Sequence, residues 1–208
     1  MPNDNYNNYI AYLDFITGKL DGFFEQQKAY IFCKAGCSLC CKNAQFPYSK
    51  VEMETLLTGY SKLNNETKEK INANIKTILA AKRNFEGERF LYDCPFLIDN
   101  ACSCYEYRGI VCRSFGLMSI PDSKHQKTQV PFCCFKGLNY SNVMDEKTNM
   151  ISSEKYKTTG IKEEPVSFNV SYEFLTNQDF EEAFKFSFGE KKPLIDWFKE
   201  EDEQQKER

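Results

Sequence analysis

The sequence predicts a mainly α protein with small irregular β elements, in which a metal-stapled cysteine-cluster core is packed on helices. Three observations predict this class. Apolar residues return at helical spacing in three stretches ahead of residue 88. From residue 88 to 136 that period is lost, yet six of the ten cysteines lie there. A segment without an apolar face needs another source of order, and ligand bonds to a metal supply one. Between residues 166 and 174 a run alternates apolar and polar side chains, the pattern of a strand with one dry face.

The first helix is expected within residues 6–32, where Tyr9, Tyr12, Leu13, Ile16, Leu20, Phe23 and Phe24 fall on one face. Ser49 and Glu52 have the spacing of a capping box and open a second, short helix carrying Val51, Met53, Leu56, Leu57 and Tyr60. Ile71, Ile75, Ile78, Leu79 and Phe85 mark a third that ends near Gly87, with Lys82 and Arg83 suited to the negative end of its dipole. Residues 137–165 are polar and read as a connector with one turn of helix. The strand follows at Val166, Phe168, Val170, Tyr172 and Phe174, then a helix in NQDFEEAFKF and another from Pro193, a residue suited to a first helical position. The expected division is a helical cysteine-cluster metal-binding domain over 1–136 and a C-terminal add-on over 137–208. The add-on is expected to pack through Phe168, Tyr172, Phe174, Trp197 and Phe198 and to supply no metal ligand.

Composition removes several function classes. No stretch approaches the roughly 18 apolar residues of a membrane span, so no membrane partner is expected. A net charge of -3 argues against a phosphate-backbone binder, which draws its affinity from clustered Lys and Arg, so no nucleic acid is expected either. The start MPNDNYNNYI has neither the positive nor the apolar region of a secretory signal, and the expected location is cytoplasmic, where disulfides are disfavoured. The only histidine, His125, sits in a polar, proline-bounded stretch that reads as a solvated loop, so histidine-based catalysis has nothing else to use. No glycine pattern of a phosphate-cradling loop occurs. The cysteines are left to carry the chemistry.

Cys33, Cys37, Cys40 and Cys41 form C-x3-C-x2-C-C, four thiols within nine residues. A C-x2-C loop lets two sulfurs converge on one ion at about 2.3 Å, and Gly36 frees the backbone to bend before Cys37. Adjacent Cys40 and Cys41 are expected to point apart along a trans backbone and so to serve different centres if both ligate. The second cluster holds Cys94, Cys102, Cys104 and Cys112, followed by Cys133 and Cys134. Ser38, Ser103, Tyr105, Arg108 and Arg113 stand near these thiols in sequence as candidate hydrogen-bond donors to sulfur.

The first cluster, together with C-P-F-L at Cys94, C-x-x-Y-E-x-R at Cys102 and C-R-x-F at Cys112, resembles the YkgJ-type cysteine-cluster proteins. That bacterial family is described as a zinc- or iron-chelating domain, and the match spans residues 33–134. The resemblance implies metal ligands at Cys33, Cys37, Cys40, Cys41, Cys94, Cys102 and Cys112, with Cys134 or its neighbour Cys133 as the last. Two departures stand out. Arg108-Gly109 replaces the family's R-P and is expected to loosen that turn, and Cys104 occupies a position the family tends to fill with an apolar residue, so it is expected to be a spare thiol. Flagellin lysine methylase-like relatives share the first cluster and are associated with iron-sulfur chemistry, but are much longer.

A thiolate-only set excludes hard cations and suits zinc or an iron-sulfur cluster, between which the spacing does not choose. Radical S-adenosylmethionine enzymes share C-x3-C-x2-C, but Leu39 precedes Cys40, no glycine-rich cofactor loop follows and helices dominate. A thioredoxin-like redox pair lacks its βαβ setting. Three functions remain: a structural or metal-handling protein; an iron-sulfur-dependent enzyme related to the methylase-like proteins; and a zinc-fixed interaction module showing Tyr105, Tyr107 and Arg108 to a protein partner.

Overall fold

The computed structural model describes residues 4–120 and 128–198, so His125 lies outside the described residues. In chain order the elements are α1 (Asp4–Gln26), β1 (Pro47–Ser49), α2 (Lys50–Ser61), α3 (Asn65–Arg83), β2 (Leu97–Ile98), β3 (Ala101–Cys102), α4 (Ile110–Ser114), β4 (Met144–Asp145), β5 (Met150–Ile151), α5 (Ser153–Thr159), α6 (Tyr172–Leu175), α7 (Gln178–Phe184) and β6 (Lys191–Pro193). Short 3-10 helices at Lys28–Tyr30, Leu39–Cys41, Tyr105–Tyr107, Phe132–Lys136 and Leu194–Trp197 join them. The protein is mainly α with small antiparallel strand pairs, as the sequence predicts. No helix among the described residues is long and apolar enough to cross a membrane.

Two compact units form, and the expected cut at residue 136 is not the one observed. One unit takes Met1–Ala35 with Ile110–Ser187; the other takes Gly36–Gly109 with Phe188–Arg208. The reason is that each unit completes its core with chain from both sides of residue 136, so the C-terminal third is no add-on.

In the first unit α1 buries Tyr9, Tyr12, Leu13, Ile16 and Leu20, the stripe legible in the sequence. Tyr12 meets Phe180, Phe184 and Phe186 at ring-centroid distances of 5.2, 5.3 and 5.3 Å, and its hydroxyl donates to the Leu175 carbonyl. Aromatic contacts of this kind add to the area term, so α7 is held to α1 strongly. Phe23 stacks on Phe168 at 4.2 Å. Buried Gln27 donates its amide to Glu164 O and accepts from Val166 N–H, fixing a stretch that makes no strand of its own.

Residues 166–174, expected as a strand, form only a single bridge, Ser119 with Phe168. Ser171 then ends any extension: its side chain accepts from Phe174 N–H and caps α6. A serine at that position competes for the backbone in a way alternation alone does not register. Residues 137–165, expected as a polar connector, contain the β4–β5 hairpin and α5, and they bury Tyr140, Val143 and Met144 with Tyr30, Met118 and Cys134.

In the second unit, Ser49 and Glu52 form the capping box expected from their spacing, with Ser49 N–H to Glu52 Oε2 at 2.9 Å and both side chains buried. β1 pairs with β6 from the far end of the chain, Tyr48 opposite Lys192. Pro193 ends that strand and precedes a 3-10 turn where a terminal helix was expected. Lys82, in the last turn of α3, pairs with Asp196 on this turn. Tyr92 Oη accepts from Ile195 N–H at 3.0 Å, and Trp197 Nε1 donates to Tyr48 O at 3.3 Å.

Candidate metal centre

The first cysteine loop is bent by Gly36 at φ +87°, a left-handed conformation that an L side chain resists. Chain reversal continues through the 3-10 turn Leu39–Cys41, closed by Cys41 N–H to Ser38 O at 2.9 Å. In so tight a turn adjacent side chains do not alternate as they do in a strand. Cys40 Sγ and Cys41 Sγ lie 3.6 Å apart, both half-buried, which corrects the expectation that they diverge.

The second thiol stretch is seated against this loop by the backbone. Ala44 and Tyr92 exchange N–H···O bonds of 3.1 and 3.1 Å, and Cys94 N–H donates to Cys41 O at 2.8 Å. Beyond Cys94, β2 and β3 form a hairpin whose two-residue turn, Asp99-Asn100, has φ of +50° and +60°. Both values positive make it the turn whose twist suits a tight hairpin. From its tip Asn100 Oδ1 accepts from Ser38 Oγ at 3.3 Å and Lys42 Nζ at 3.4 Å, so the tip lies on the first thiol loop. Tyr107 then packs on α2, where a Cβ on Gly59 would fall 2.5 Å from its ring. The 88–109 part of the unpatterned segment therefore has a frame of its own, built from short strands, turns and loop hydrogen bonds that leave no apolar period.

Five of the eight expected ligands, Cys37, Cys40, Cys41, Cys94 and Cys102, share this unit, while Cys33, Cys112 and Cys134 belong to the other. None of the ten cysteines is half of a disulfide. Among the described residues no group of three or more His, Cys, Asp or Glu side chains is placed to hold a metal ion. What is pre-set is a pair: the edge of a tetrahedron with metal–sulfur bonds of about 2.3 Å is about 3.8 Å, close to the 3.6 Å between Cys40 and Cys41.

Charge separates the thiols. Cys40 is lowered to about 7, chiefly by the hydrogen bond from the Cys41 thiol, which outweighs burial, with the Arg108 guanidinium adding to it. Arg108 stacks on the Tyr105 ring, its guanidinium carbon 3.7 Å from the centroid, and donates to Tyr105 O at 2.7 Å. Burial raises Cys102, against the pull of Arg108. Burial also pushes Cys104 up to about 12 and Cys134 up to about 11. Cys134 lies with its thiol 3.2 Å from Met144 Sδ inside the apolar core of its unit. Burial thus disfavours the thiolates of Cys104 and Cys134, whereas that of Cys40 is favoured relative to an ordinary thiol. Since the folded chain holds the Cys40 thiolate below the ordinary thiol value, its alkylation rate in chelator-treated protein is expected to reach half-maximum near pH 7, with Cys104 unreactive across that range. A rate-against-pH profile read peptide by peptide checks this; a Cys40 midpoint near 9 would refute it.

Ser38 and Ser103, candidate donors to sulfur in the sequence, donate to Asn100 Oδ1 and Phe96 O. Gly109, expected to loosen its turn, is held there: its N–H donates to Tyr48 Oη at 2.9 Å. Asn100 was not foreseen as a clamp. Neither was Asn139, whose buried Oδ1 accepts from Phe32 and Cys33 N–H, both at 3.0 Å, while Nδ2 donates to Gly116 O at 2.9 Å. Single asparagines carry no spacing signal. Asn139→Ala is expected to cost about 1 to 3 kcal/mol by stranding these groups, and hydrogen exchange at the Cys33 amide should rise in step with the fall in urea midpoint.

Comparison of the chain with protein-family models, curated proteins and solved structures returned no match.

Proposed function

We propose that the chain is a cysteine-cluster metal-binding protein of the YkgJ type, holding zinc or an iron-sulfur cluster through thiolates in a structural or metal-handling role. The observation that carries this is the Cys40–Cys41 pair, at the spacing of two ligands on one tetrahedral ion, on the loop seated against Cys94 and the hairpin bearing Cys102. The donor chemistry fits a soft metal, since every candidate ligand is sulfur and the thiolate of Cys40 is already favoured. Cys37, Cys94 and Cys102 are the other expected ligands of the same unit and would complete the set, with metal binding drawing them in.

A zinc-fixed interaction module is supported at one point: Tyr105 is 57% exposed with Arg108 stacked on it, a display that packing does not require. Tyr107, by contrast, is used internally, over Gly59. Anaerobic purification with metal analysis and absorption spectroscopy tests the proposal. Stoichiometric zinc without colour, or iron and sulfide with a brown thiolate-to-iron absorption, supports it; protein free of both, and unable to take up either, would end it.

A further inference from the structure

We propose that Cys40 and Cys41 are an oxidative modification site, at which hydrogen peroxide closes a reversible vicinal disulfide. The two sulfurs are 3.6 Å apart on an accessible loop turn, and neither is enclosed in a core. The chain supplies its own contrast. Cys133 and Cys134 are also adjacent and also on a 3-10 turn, but both are buried, and Cys134 faces Met144 Sδ. Adjacency alone is therefore not the criterion; access and convergence are found together at Cys40–Cys41.

The step balances without another reactant. One sulfur attacks a peroxide oxygen, the O–O bond breaks and hydroxide leaves, giving a sulfenic acid. The second sulfur attacks the first, the S–O bond breaks and hydroxide leaves again. The two thiol protons convert both hydroxides to water, so two thiols and one peroxide give one disulfide and two waters.

Reversibility follows from the covalent frame. The Cys40–Cys41 peptide is trans, which sets the Cα atoms about 3.8 Å apart. Ordinary disulfides span about 4.4 to 6.8 Å between Cα atoms, and departures store strain that makes the bond easier to reduce. Strained, accessible disulfides are the labile, regulatory kind. If the proposed metal centre uses this pair, a consequence resting on that reading, closing the bond withdraws two thiolates and releases the metal.

The test treats the full chain, as purified and after chelation, with hydrogen peroxide, alkylates the remaining thiols and digests with trypsin. Cleavage after Lys34 and Lys42 frees a peptide holding Cys37, Cys40 and Cys41. It is expected to lose two hydrogens and carry one alkyl group, to return to three alkyl groups after glutathione, to keep the loss in Cys37→Ser and to lack it in Cys41→Ser. The peptide with Cys133 and Cys134 should carry two alkyl groups throughout. Full alkylation of Cys40 and Cys41, a sulfinic acid on either, or a bond from either to another cysteine would overturn the proposal. The mass change is read whether or not metal is bound, so a metal-free protein that still forms the bond refutes the metal reading alone.

Discussion

Cys40→Ser is expected to remove the bound metal, at least one equivalent per chain, while Cys104→Ser leaves metal content unchanged. The two thiols are opposites in environment. Cys40 is half-buried beside Cys41 and lowered to about 7; Cys104 is 2% exposed and pushed up to about 12 by burial. Stability should divide the other way. Exchanging a buried thiol for a hydroxyl without a partner costs roughly 1 to 3 kcal/mol, whereas metal-free Cys40→Ser should unfold close to metal-free wild type, as substitutions away from the core usually do. Metal analysis paired with urea denaturation reads both. Metal lost from Cys104→Ser as completely as from Cys40→Ser would overturn this partition.

The second large effect concerns Gly109, which stands where YkgJ-type proteins tend to have proline. A Cβ on Gly109 would lie 2.7 Å from Tyr48 Cζ and 3.0 Å from Glu52 Oε1, both side chains being buried. Neither can yield easily, because Glu52 is committed to the capping box and Tyr48 Oη accepts from Gly109 N–H. Gly109→Ala should cost about 1 to 3 kcal/mol by overpacking. Gly109→Pro, which installs the family's residue, should cost more, since the ring adds bulk and deletes the N–H that Tyr48 receives. If proline stabilises the chain instead, the close approach is not a real constraint.

Much of the helical half was legible in the sequence because its signals are local. The stripe from Tyr9 to Leu20 and the Ser49–Glu52 box both lie within a few turns of chain, and both are formed. The failures have a common cause. Alternation at residues 166–174 suggested a strand, but strand pairing needs a neighbour, and beyond Phe168 the Ser171 cap was the stronger local bond. The pairing of β1 with β6 joins residues far apart in sequence, so the end of the chain could not be placed by period. At the candidate site the thiols themselves were conspicuous, but their partition was not. Cys134 turns into an apolar core and Cys40 toward Cys41, choices made by tertiary packing and by a 3-10 turn. The hairpin at Asp99-Asn100 did carry a local sign, two residues tolerant of positive φ between apolar neighbours, and it was obscured by the cysteines around it.

X-ray absorption at the metal edge of the anaerobically purified protein tests the thiolate centre most directly. A first shell of sulfur alone at about 2.3 Å is expected, with a short iron–iron distance added if the metal is iron. In Cys40→Ser that shell should vanish together with the metal. A first shell dominated by oxygen or nitrogen, or a sulfur shell that survives Cys40→Ser intact, would contradict it.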